Sequence, residues 1–76
     1  MAVDFDKLER DLTEKEMALF MGVTMAMFSA IEAGANARNL HQRLQTHVDN
    51  FGVRRQADAK HVMEAFQAMV QSTLPK

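Results

Sequence analysis

The chain has 76 residues, a net charge of −1, 47% hydrophobic residues and no cysteine. That length fits one domain, and a chain this short buries only ~60% of its unfolded surface. Disulfides and Cys-ligated zinc are excluded, so stability has to come from packing, with a second subunit as an additional source open to the chain.

The start, MAVDFDKLER, carries charges where a signal peptide needs an apolar stretch. The longest apolar run holds too many small and polar residues for a membrane span. The expectation is a cytoplasmic protein with no membrane partner. His41, His47 and His61 are not at i,i+4 spacing, so neither a metal site nor a cofactor is expected.

Charge is split along the chain. Residues 1–35 have three cations against seven carboxylates, net −4, and residues 36–76 have six against three, net +3. A basic half suits phosphates, although a pI of 6.3 is far from that of a strongly basic nucleic-acid binder. Alternating apolar stretches, Tyr and Trp are missing, so the chain reads as all-α.

The first helix is expected from Asp4 to Asp11, with Asp4 as N-cap and Phe5, Leu8 and Leu12 on one face. Thr13 and Glu16 then form a capping box, and Leu12 and Met17 a hydrophobic staple. This starts a second helix, Glu14 to Met21. Gly22 costs ~1 kcal/mol inside a helix and is favoured just past a helix end. Thr24 is a good N-cap for a third helix, Met25 to Ala33, closed by Gly34. Asn36 caps a fourth, from Ala37 to Phe51, with Leu40, Leu44, Val48 and Phe51 inward and Gly52 as the stop. A fifth runs from Gln56 to Ser72 on Ala59, Val62, Met63, Phe66, Met69 and Val70. Leu74-Pro75-Lys76 is a frayed end.

Thr13, Glu16, Met17-Ala18, Met21-Gly22-Val23-Thr24, Phe28-Ser29, Ile31-Glu32 and Gly34 together resemble the helix-turn-helix of the Cro and lambda-repressor family. The resemblance covers residues 13–34 and keeps its spacing throughout. It implies a single five-helix, lambda-repressor-like domain over residues 1–76, with C-terminal helices 37–51 and 56–72. It also implies a small DNA-binding transcriptional regulator: a homodimeric (auto)repressor of phage, plasmid or antitoxin type whose third helix enters the major groove of operator DNA. Carried onto this chain, the base-reading positions are Met25, Ala26, Met27 and Ser29. Glu14 stands where the family touches phosphate, and Thr24 and Asn36 where it also reaches the backbone.

The chain departs from that pattern at the reading face. Base readout needs hydrogen-bonding side chains, and Met25, Ala26 and Met27 supply none. The groups suited to DNA are Thr24, Ser29, Asn36, Arg38, Asn39 and Arg43, with Arg54 and Arg55 as further phosphate contacts. Two alternatives therefore stand beside the DNA reading. In one, the fold serves protein contact, and Met25, Ala26 and Met27 form an apolar patch for a partner. In the other, Glu14 to Ala33 is a single helix in an oligomeric bundle, with Ala18, Gly22, Ala26 and Ala30 as a close-packing seam. Catalysis finds no support: no nucleophilic Cys, no Gly-rich phosphate loop and no recognisable triad are present, so the chain is not read as an enzyme.

Overall fold

The computed structural model describes residues 3–74. Of the expected frayed end, Pro75 and Lys76 lie outside these residues, as do Met1 and Ala2 of the expected non-signal start. The described chain is all-helical, with four helices: α1 (Phe5–Asp11), α2 (Glu14–Glu32), α3 (Ala37–Val53) and α4 (Ala57–Gln71). The expected five-helix, helix-turn-helix arrangement is corrected here, because the second and third expected helices are one.

Helix α1 starts where its cap residue dictates. The Asp4 carboxylate accepts the Lys7 backbone N–H at 2.9 Å, and Leu8 is buried. The Asp4 backbone N–H donates to His61 Nε2 at 3.3 Å, which ties the start of α1 to α4. Lys7 bridges Asp11 on its own helix and Asp58 on α4.

The capping box is present at the start of α2. The Thr13 N–H donates to Glu16 Oε1 at 3.0 Å, and the Glu16 N–H donates to Thr13 Oγ1 at 3.2 Å. From there the helix runs unbroken for 19 residues, straight through Gly22-Val23-Thr24. Two observations explain why the glycine does not end it. Gly22 keeps ordinary helical backbone, and the positive φ that a helix stop requires appears at Gly34 (φ 110°). Thr24 faces inward instead of capping; its hydroxyl donates to the Phe20 carbonyl at 2.9 Å, inside the helix. The real stop is a Schellman motif, in which the Ala35 N–H reaches the Ala30 carbonyl and the Gly34 N–H reaches the Ile31 carbonyl.

Asn36 caps α3 as expected, its side chain accepting the Asn39 N–H at 3.0 Å. Gly52, expected as the stop, lies inside α3. The helix ends one residue later, at Val53, and beyond it Arg55 adopts φ 58° and the Gln56 and Arg55 N–H groups reach the Phe51 and Gly52 carbonyls. A second Schellman motif is thus built on a non-glycine residue, which needs tertiary support. That support is the packing of α4 back along α3.

The α3–α4 hairpin is the most extensive helix contact, and α1 and α2 lean on α4. The core gathers Leu8, Phe20, Ala65 and Phe66, with Leu12, Met17, Met27, Leu44, Val62 and Met63 packed around them. Phe20 of α2 stacks on Phe66 of α4, with ring centroids 4.5 Å apart. Gln67 is also buried; its Nε2 donates to Gln45 Oε1 at 2.9 Å and to the His41 carbonyl, which links the two hairpin helices. The radius of gyration, 12.4 Å, exceeds the ~11 Å expected for a chain of this length.

Candidate functional site

Helix α2 carries no charged residue from Met17 to Ile31. Its inward positions are Met17, Phe20, Thr24, Met27 and Ile31, spaced 3, 4, 3 and 4, and this stripe meets the core. The other side of the helix is as apolar as the inward side and remains open. Leu19 is 70% exposed, Met21 and Met25 are 51% exposed, and Val23 is 48% exposed. A helix that is apolar all round is normally covered all round. Here only one stripe is covered, and the open surface is the kind that marks a site of interaction.

Two grooves flank this helix. The first is almost entirely apolar, with a volume near 320 Å³, and runs between the N-terminal half of α2 (Leu19, Phe20, Val23), Phe51 of α3, and Ala59, Val62 and Met63 of α4. The second, near 420 Å³, lies between the C-terminal half of α2 (Val23, Ala26, Met27, Ala30) and the first turns of α3 (Asn36, Asn39, Leu40, Arg43). Val23 borders both, so α2 and α3 run side by side with an open trough between them.

The residues expected to contact DNA are scattered over this arrangement. Thr24 is 3% exposed and hydrogen-bonded to its own helix, so it reaches no ligand; its expected role as a cap and backbone contact is corrected. Met25, Ala26 and Ser29 are exposed, but they continue the axis of α2 and form no separate recognition helix. Met27, expected beside them, is half-buried against the core. Asn36 has its side-chain oxygen committed to the α3 cap. Arg38, Asn39 and Arg43 are exposed on α3. The second groove brings together Ala26, Asn36, Asn39 and Arg43, while Met25 and Ser29 face away on the outer side of α2. Glu14 is exposed in the first turn of α2. Arg55 serves as the left-handed stop of α3.

Three groups in the N-terminal segment, Lys7, Asp11 and Glu16, have shifted pKa values. The Glu16 carboxyl lies below the usual glutamate range because the Thr13 N–H and hydroxyl bond its charged form. Asp11 is lowered, and Lys7 raised, chiefly by the hydrogen bond between them. Among the described residues no group of three or more His, Asp or Glu side chains is placed to hold a metal ion. Among them, too, no helix is long and apolar enough to cross a membrane.

No family model, no curated protein and no solved structure matches this chain. The Cro and lambda-repressor resemblance therefore has no support beyond residues 13–34 themselves, and within those residues its turn is helical. The feature that sequence reasoning underweighted is the phase of the inward stripe. The 3, 4, 3, 4 spacing from Met17 to Ile31 passes through Gly22 without a shift, and a turn there would have shifted it.

Proposed function

We propose that this chain is a small helical protein-contact module that acts through α2. One observation carries the reading: a continuous 19-residue helix whose solvent side is uncharged and apolar from Met17 to Ile31. Desolvating such a face costs little, and its methionines adapt to a partner's shape. The same face offers a single exposed hydroxyl, Ser29, with which to read base edges, and Met25 and Ala26 beside it offer none. The acidic ends of α2, at Glu14, Glu16 and Glu32, disfavour approach to a phosphate backbone.

A second reading, regulation through DNA, rests on a different part of the surface. Asn39 and Arg43 border one groove at the start of α3, with Arg38 on the same helix, in the half of the chain that carries +3. Titrating the labelled chain against itself and against duplex DNA at low salt separates the two. Self-association without duplex binding supports protein contact. Duplex binding weakened by Arg38→Ala or Arg43→Ala, with no protein association, overturns it.

A further inference from the structure

The outer side of α2 carries a second stripe, distinct from both the inward one and the trough. Lys15, Ala18, Gly22, Met25, Ser29 and Glu32 recur at spacings of 3, 4, 3, 4 and 3, and all six are exposed. This is the spacing of a coiled-coil seam, here built from small residues and one methionine between two charges instead of from large apolar side chains. Its centre is small residues plus one methionine. An added Cβ at Gly22 would meet nothing within 4 Å, so the space above Gly22 is open to another chain. Its two ends are opposite charges, and neither pairs with any described residue, where the ion pairs are those of Lys7.

We propose that α2 pairs with α2 of a second copy of this chain, antiparallel and in one register, with Lys15 of each copy beside Glu32 of the other. This deepens the protein-contact reading and rests on it. Charge selects the orientation. A parallel pair would set Lys15 against Lys15 and Glu32 against Glu32 at the seam. The antiparallel pair instead makes an opposite-charge contact at each end. It also sets Glu32 of each copy against the positive N-terminal end of the facing helix.

That register settles the rest of the seam. Residues pair when their numbers add to the same total as 15 and 32. Ala18 then faces Ser29 of the second copy, and Gly22 faces Met25. The long methionine fills the space that glycine leaves open, twice, across a two-fold axis near residues 23 and 24. Small residues on either side let the backbones approach closely. A symmetric pair of this kind is the commonest form of soluble oligomer. The trough between α2 and α3 is lined by Ala26 and Ala30, about 100° round the helix from Met25 and Ser29, so it flanks the seam and is not filled by it.

The chain has no cysteine, so introduced thiols report without background. Ala18→Cys and Ser29→Cys are prepared separately, checked for helicity by circular dichroism, mixed and oxidised. The expected product is the mixed 18-to-29 cross-link, with little cross-linking of either variant alone. Positions 18 and 29 are ~16 Å apart along the helix, so in this register each lies far from its own copy, beyond the ~7 Å Cα separation a disulfide tolerates. As a second reading of the register, Lys15→Glu and Glu32→Lys should each weaken dimerisation about fivefold or more, and the double charge swap should restore it. A dimer that cross-links 18 to 18 and 29 to 29 overturns the antiparallel register and leaves the protein-contact reading intact. A wild-type chain that stays monomeric at every concentration, with no cross-link in any mixture, removes both.

Discussion

Helices α3 and α4 of the hairpin are each similar in length to α2 and are built on the opposite plan. In the hairpin, apolar residues keep to one side: Val48, Ala65, Phe66 and Val70 are buried, while the outer sides carry Arg38, Arg43, Asp49 and Asp58. Apart from Val53 in the last turn of α3, which is 84% exposed, its apolar content matches what the fold covers. In α2 the apolar content exceeds what the fold covers, and the excess is a continuous surface. The hairpin accounts for how the chain folds, and the exposed side of α2 is the surface on which the proposed protein contact rests. Local signals hold α2 in shape where packing does not. The Thr13–Glu16 capping box fixes its start, the Gly34 Schellman motif fixes its end, and the Phe20–Phe66 stack docks it.

The contrast breaks most sharply at Phe66. It is buried and stacks on Phe20, so Phe66→Ala removes both the hairpin core and the docking point of α2. The expected cost is about 3–5 kcal/mol. A core of this size rarely supplies more than ~3–5 kcal/mol in total. Urea unfolding followed by circular dichroism should find the variant largely unfolded in buffer. A loss under 1 kcal/mol would mean that the hairpin is not the folding core.

Gly22 tests the continuity of α2. An added Cβ there has open space, and the backbone is helical. Gly22→Ala should therefore stabilise the fold by about 0.5–1 kcal/mol, measured as a rise in Tm at a concentration where association is negligible. A turn at Gly22 with positive φ would produce a loss instead.

The smallest effect lies at the start of α2. Glu16 has a folded pKa below the usual glutamate range, so its charged form stabilises the fold above the unfolded pKa. That contribution is lost as pH falls through the lowered folded value. Thermal scans from neutral to acid pH should show a shallow acid-side decline that Glu16→Gln reduces, because the amide keeps the cap bond without a titrating charge. An unchanged decline in the variant would place the acid sensitivity elsewhere, with Asp11 and Lys7 the next pair to examine.

Much of this fold was legible in the residues, and its principal error has one physical source. The helical class, the caps at Asp4, Thr13 and Asn36, and the inward faces of α3 and α4 follow from local rules that tertiary structure here leaves in place; on α1 Leu8 and Leu12 turn inward as expected, but Phe5 is exposed. Gly22 and Thr24 misled because each residue type is ambiguous. Glycine ends a helix only if the chain takes positive φ, and threonine caps only if its hydroxyl faces a free N–H. Both outcomes depend on the phase of the surrounding apolar residues, and Phe20, Thr24 and Met27 share one phase across the glycine. The end of α3 was illegible for another reason. Arg55 adopts a conformation that its residue type rarely does, and Gly52, which adopts it readily, was not used. Of the expected contact residues, Met25, Ala26 and Ser29 are on the exposed surface, and Thr24 is lost to the core. The chemistry of that surface, apolar where DNA readout needs donors, was already visible in the Met-Ala-Met sequence.

The most direct test of α2 as a protein-contact helix is molar mass by light scattering across concentration, for wild type and Met25→Lys. Met25 is 51% exposed and outside the core, so the substitution should leave stability within about 0.5 kcal/mol. The wild type should rise toward twice the 8.6 kDa chain mass, and the folded variant should stay at 8.6 kDa. Equal masses for the two proteins at every concentration would contradict the account.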